Sequence, residues 1–167
     1  MVFNDRLDAA RQLAQALSGY RGQNPLVLAI PRGAVPMGAL IADELHGELD
    51  VVLVHKLSSQ WDQEYAIGAI DESGWSYLTD PSGGDAAWLA QEKPRRLDGL
   101  KQRRALYSPA RPPIDPHGRI VIVVDDGLAT GATMMAALHA VRAAKPQKLV
   151  CAVPVAAPDS LKSVEPY

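Results

Sequence analysis

The sequence predicts an α/β domain with a parallel central sheet flanked by helices. Short runs rich in Val, Ile and Leu recur at residues 26–30, 49–54, 121–124 and 149–155, each the length of one strand. The first and third of these runs lead into a glycine-containing loop, then a stretch with helical apolar spacing, then another run. That order builds βαβ units. The chain has 167 residues, 47% hydrophobic and 22% charged, so a single globular domain over residues 1–167 is expected.

Asn4 is placed to cap a first helix that carries Leu7, Ala10, Leu13, Ala14 and Leu17 on one face, with Gly19 and Gly22 beyond it. Pro25 precedes LVLAI, a short buried strand. PRGAVPMG then turns the chain into a helix with Ala39, Leu40, Ala42 and Leu45 as apolar positions, and residues 49–54 form the next strand. Between residues 57 and 85 the pattern weakens. That segment holds one β-like piece, AIGAI, and turn residues at Glu72-Ser73-Gly74 and Ser82-Gly83-Gly84. Its length and its aromatic residues (Trp61, Tyr65, Trp75 and Tyr77) suit a mobile covering loop. A rigid hairpin built on AIGAI is the alternative, and the two coexist if only residues 58–64 move.

Residues 86–107 are helical in composition, with Pro94 beginning or kinking a helix. Lys93, Arg95, Arg96, Lys101, Arg103 and Arg104 form a basic run, but Glu92 and Asp98 interleave with it, so a solvated helix face is expected rather than a nucleic-acid surface. SPARPPIDPHG is too rich in proline for regular structure. A strand at 121–124, a helix carrying Met135, Leu138 and Val141, and a strand at 149–155 complete the pattern.

The formal net charge of -2 makes no electrostatic case for nucleic acid or an anionic membrane as partner. The single cysteine, Cys151, excludes an internal disulfide framework; its apolar strand context reads as inert packing in a reducing compartment. No apolar run approaches the roughly 20 residues that span a bilayer, and the N-terminal residues have no signal-peptide pattern. A cytoplasmic protein is expected. His46, His55, His117 and His139 show no metal-ligand spacing.

Chemistry concentrates in VIVVDDGLATGAT, residues 121–133. A hairpin turn at Asp125-Asp126-Gly127 is the simple alternative, but the helical MMAALHAVRAA that follows makes this strand, loop, helix. In α/β sheets ligands bind beyond the carboxyl ends of strands, where this loop falls. Two adjacent carboxylates there suit a vicinal diol, or magnesium held through water and substrate oxygens. The loop Ala129, Thr130, Gly131, Ala132 and Thr133 has small residues that let backbone N–H groups approach an anion, and the next helix adds its positive end. A diol on the acids and a phosphate on the loop describe a ribose 5-phosphate. The Gly-Lys-Ser/Thr ending of the nucleoside triphosphate P-loop is absent.

The stretch resembles the phosphoribosyl pyrophosphate (PRPP) motif of type I phosphoribosyltransferases. FNDRLDAARQLAQAL, LAIPRGAVPMGALIADEL, LDVVLVHKL, EYAIGAIDESG and VPVAAPDSL are similar, in order, to a bacterial group of that family. The resemblance implies Mg2+-dependent transfer of phosphoribosyl from PRPP to a small nitrogenous acceptor, with pyrophosphate released. Asp125 and Asp126 would hold the ribose hydroxyls and, indirectly, Mg2+; Gly127 and Ala129 to Thr133 would bind the rest of PRPP around its 5-phosphate. Arg32 and Gly33 match the pyrophosphate loop, and Lys56 matches a basic residue near it, so Arg32 and Lys56 become the candidate catalytic residues. Three positions depart from the pattern: Ala34 where a second glycine is frequent, His55 where arginine is common, and Ala129 where hypoxanthine-guanine enzymes carry aspartate. The residues after Val164 are few, which implies a reduced C-terminal hood over the acceptor base. Relatives often form homodimers. A non-catalytic PRPP or nucleotide sensor, and an enzyme acting on another phosphoribosyl compound, are the rival readings.

Overall fold

The computed structural model describes residues 3–166. In chain order its elements are α1 (Arg6–Ala16), β1 (Leu26–Ala29), α2 (Val35–Leu45), β2 (Glu48–Val51), β3 (Val54–Ser58), β4 (Ala66–Asp71) and β5 (Ser76–Leu78). They continue with α3 (Ala86–Tyr107), β6 (Ile120–Val124), α4 (Ala132–Ala143), β7 (Lys148–Ala152) and α5 (Pro158–Val164). The chain divides into two compact units. One comprises the chain up to Val52 and from Pro113 onward; the other is Leu53–Pro112.

The first unit carries the expected parallel sheet, in strand order β2-β1-β6-β7. All four residues of β1 are buried, as are the last four of β6, because central parallel strands lose water from both faces. Register sets Ala29 beside both Val51 and Val124, and Val124 beside Ala152, so the carboxyl ends of all four strands finish level. Val27, Ala29, Ile122 and Val124 pack against Ile41 and Leu45 of α2 and Ala10 and Ala14 of α1.

Two local expectations shift. Asp5, not Asn4, caps α1: its Oδ1 accepts the Asp8 N–H at 2.8 Å, while Asp8 Oδ2 accepts the Asn4 N–H at 3.0 Å. The two carboxylates satisfy donors at the helix start reciprocally, much as a capping box does. The apolar run 49–54 is also not one strand. Its first half ends β2, Val52 N–H donates to the Ala29 carbonyl at 3.1 Å, and Val54 already begins β3 in the other sheet. The run is apolar throughout because Val51, Val52 and Leu53 are all buried as the chain changes sheets.

The second unit is an antiparallel sheet, β3-β4-β5, with α3. AIGAI is the core of β4, with Ile67 to Ile70 buried. The hairpin alternative therefore describes most of the segment assigned to a mobile loop, and the irregular part narrows to residues 59–65, where Trp61 and Tyr65 are exposed. The Glu72-Ser73-Gly74 turn forms as read: Asp71 Oδ1 accepts the Ser73 and Trp75 N–H groups.

Pro94 lies inside one continuous α3 rather than starting a helix. The basic run on α3 is only partly a solvated face. Arg104 is buried and forms an ion pair with Glu72, and Arg96 Nε donates to Glu92 Oε1 at 2.5 Å. Alternation of charge along the helix could not reveal which arginine faces the sheet.

Candidate functional site

In the first unit the chain winds outward in both directions from the middle of the sheet: β1 through α2 to β2 on one side, β6 through α4 to β7 on the other. The change of direction falls between β1 and β6, which is where open α/β sheets form a ligand crevice. The loop after β1 carries Arg32 and Gly33, and the loop after β6 carries Asp125 to Gly131. Ile30 N–H donates to the Val124 carbonyl at 2.9 Å, so the two loops leave the sheet side by side.

That proximity decides the position of Gly33. A Cβ on Gly33 would lie 2.2 Å from Asp126 Oδ2 and 2.9 Å from its Cγ. Glycine leaves room for the Asp126 carboxylate in this position, and any larger residue would displace that side chain or the loop. Ala34 beside it is fully buried, sits at φ -80° and ψ -11° at the start of α2, and needs no glycine conformation. The peptide bond between Pro31 and Arg32 is cis, and the Arg32 side chain is exposed.

The two acids have different surroundings. Asp125 Oδ1 accepts the N–H of Asp126 at 2.9 Å. Burial pushes the Asp125 carboxyl above its ordinary value of 3.8; the Asp126 N–H opposes this, and the Asp126 charge adds to it. Asp126 Oδ2 instead accepts from Arg6 Nε at 2.9 Å, with Arg6 Nη2 at 2.9 Å from the same oxygen. The described bonds thus engage one oxygen on each acid and leave Asp125 Oδ2 and Asp126 Oδ1 for a ligand.

A pH dependence follows. The folded state holds the Asp125 proton more tightly than the unfolded chain does, so stability falls as pH rises from 3.8 through the raised value. Asp125→Asn should therefore raise the ligand-free melting temperature at neutral pH and leave it unchanged below pH 3.8. Calorimetry over that range checks it; an equal gain at both ends would assign the effect to packing.

The loop that follows is shaped for an anion. Gly131 is the N-cap of α4 with φ 76°, a left-handed conformation that glycine adopts freely. No side chain caps α4, so its first N–H groups are left for another acceptor, with the helix dipole favouring a negative one. Ala129 and Thr130 are exposed, while Ala132 and Thr133 are partly buried in the first turn.

The C-terminal segment braces this loop. Leu128 N–H donates to the Val155 carbonyl, Ala157 N–H donates to the Leu128 carbonyl, and Ser160 Oγ donates to the Ala129 carbonyl at 2.5 Å. Ser160→Ala should cost about 1 kcal/mol of stability and raise the concentration of phosphate ligand needed for half-saturation, as measured by denaturant melts and titration.

A family model for the phosphoribosyl transferase domain matches residues 3–167. The chain belongs to that family. Two proteins of Mycobacterium tuberculosis, provisionally named phosphoribosyl transferases, are 41% identical over 162 residues, 95% of this chain. The chain spans 37% of their length. The solved structure of TT1426 from Thermus thermophilus is 41% identical with a TM-score of 0.88, covering 99% of this chain and 81% of that one. A purine phosphoribosyltransferase from Pyrococcus horikoshii has a TM-score of 0.54 at 15% identity, over 93% of this chain and 85% of its own. At that identity the likeness is one of fold, and the parallel sheet with its flanking helices is the type I phosphoribosyltransferase fold.

Within this phosphoribosyl transferase domain the first unit brings together Arg32, Gly33, Asp125, Asp126, Gly127 and the loop to Thr133. Lys56 belongs to the second unit. It lies on β3, exposed, paired in register with Ala69 and next to His55, whose Nδ1 is 2.7 Å from the Lys56 carbonyl. Sequence reasoning missed Arg6 and Ser160. Arg6 carries no local signal of a site. Ser160 lies in α5, whose start is marked by Pro158 at the first helical position and Asp159 in the first turn, a signature that could have been read.

Cys151 is half-buried in β7 and lines an apolar groove of about 570 Å³ with Leu13, Leu17, Leu138 and Leu149. Burial, followed by the Asp125 charge, pushes its thiol up to about 11, which keeps it protonated and unreactive. Among the described residues no group of three or more His, Cys, Asp or Glu is placed to enclose a metal, and no helix is long and apolar enough to cross a membrane.

Proposed function

We propose that this domain is a phosphoribosyltransferase that moves the 5-phosphoribosyl group of PRPP to a small nitrogenous base and releases pyrophosphate. The observation that carries the reading is the convergence, beyond the carboxyl ends of the two central strands, of Gly33, the acid pair and the uncapped start of α4. Asp125 and Asp126 would accept hydrogen bonds from the ribose hydroxyls through their unengaged oxygens. The N–H groups from Gly131 to Met134, with the hydroxyls of Thr130 and Thr133, would bind the 5-phosphate. Arg32 and the backbone beside Gly33 would hold the pyrophosphate.

Cleavage of the bond from C1 of the ribose to the pyrophosphate oxygen leaves positive charge on the ring, and the acceptor nitrogen closes the new bond. Catalysis would come from holding the sugar in line and stabilising the departing anion. Two carboxylates, with no third acid beside them among the described residues, fit magnesium held mostly by water and substrate oxygens, as that ion prefers. When bound, magnesium would neutralise charge on the pyrophosphate. Lys56 keeps a place in this proposal through its match to the family motif. Ala129 in place of aspartate favours an adenine-like acceptor over a 6-oxopurine.

Incubating the protein with PRPP, magnesium and a panel of purine and pyrimidine bases, while following pyrophosphate, tests the proposal. Release that depends on one base supports transfer. PRPP binding without release for any base would favour the regulatory sensor.

A further inference from the structure

We propose that Arg6 is a pyrophosphate-binding residue of this site, delivered from the first turn of α1 and oriented by Asp126. The inference rests on the PRPP reading above and adds a residue to it. Arg6 directs both Nε and Nη2 at one oxygen, Asp126 Oδ2, each at 2.9 Å. A guanidinium carries five N–H donors, so three remain for another acceptor. The Arg6 side chain is 68% exposed in spite of the pairing. An arginine tethered by a single carboxylate oxygen keeps its charge and most of its fork accessible to a second anion.

The position of that anion is set by Gly33. The Asp126 oxygen that Arg6 holds is the one a Gly33 Cβ would meet at 2.2 Å. Arg6 and the loop assigned to pyrophosphate therefore converge on the same atom, from the start of α1 and from the loop after β1. Arginine suits the role because its planar fork binds two phosphate oxygens at once. Two carboxylates alone would repel a polyanionic substrate, and a guanidinium beside them offsets part of that repulsion. A purely structural role accounts poorly for the pair, since an ion pair this exposed contributes little to a fold.

Titration calorimetry on the full chain with PRPP, inorganic pyrophosphate and ribose 5-phosphate, each with magnesium, tests the assignment in the unsubstituted protein, Arg6→Gln and Arg6→Lys. Arg6→Gln should weaken pyrophosphate and PRPP about tenfold, the value of one charge-assisted hydrogen bond, and leave ribose 5-phosphate within about twofold. Arg6→Lys should recover part of the loss, keeping the charge without the fork. An unchanged melting temperature for Arg6→Gln would show that the fold is intact. Equal losses for all three ligands would make Arg6 a clamp on Asp126 and overturn the proposal, as would no loss for any. Failure of the unsubstituted protein to bind PRPP or pyrophosphate is a separate outcome that overturns the PRPP reading and this inference together.

Discussion

Asp125→Asn combined with Asp126→Asn is expected to abolish most of the stabilisation that PRPP and magnesium give the folded protein. A ligand at a hundred times its dissociation constant that binds only the folded state adds about 2.7 kcal/mol, and in the proposed reading the acid pair would carry the sugar and metal end of that binding. Amides keep the size of the carboxylates but neither the charge nor two acceptor oxygens on each side chain. The ligand-free protein should stay folded. Asp125 loses a carboxylate that burial disfavours, and its Asn can still accept the N–H of residue 126. Residue 126 gives up only the exposed pair with Arg6, worth roughly 0–1 kcal/mol. Thermal melts with and without ligand measure the shift. A full PRPP response in the double variant would remove the diol assignment.

Gly33→Ala should lower kcat/KM by about a hundredfold, the usual cost of misplacing a binding group by roughly 1 Å. The added Cβ would fall 2.2 Å from Asp126 Oδ2, so the carboxylate must rotate away or the loop must retreat from β6. Either movement separates the loop after β1 from the acid pair. Gly33 has no positive φ, so the penalty is one of space rather than backbone strain. The effect should therefore appear in PRPP affinity and turnover, with the melting temperature little changed. The dissociation constant for PRPP supplies the readout independently of the acceptor. A variant that binds and turns over normally would show that Asp126 need not sit where Gly33 permits.

Much of this domain is legible in its local patterns. Uninterrupted apolar runs at 26–30 and 121–124 identify central parallel strands, because strands buried on both faces cannot alternate. The acid pair and the loop to Thr133 mark the candidate site in the sequence, because their chemistry lies within a few consecutive residues. The strand, loop, helix order excludes the hairpin at Asp125-Asp126-Gly127, and the parallel pairing of β6 with β7 agrees. AIGAI is read correctly as β structure, whereas the segment around it is assigned too much irregularity. Short strands such as β4 and β5, joined by the Glu72-Ser73-Gly74 turn, resemble loop composition until their partners are known.

What only the tertiary structure decides is where residues distant in sequence meet. The strand order puts β1 beside β6, and with it Gly33 against Asp126. Helix α1 brings Arg6 to that same carboxylate, and α5 brings Ser160 to the Ala129 carbonyl in the loop after β6. The division of the run at 49–54 between two sheets, and the burial of Arg104 against Glu72, are decisions of the same kind. Periodicity and turn chemistry act over a few residues along the chain and so can be read from it. Register, strand order and ion pairing across the fold depend on the packing of the whole domain, and no short stretch of sequence encodes them.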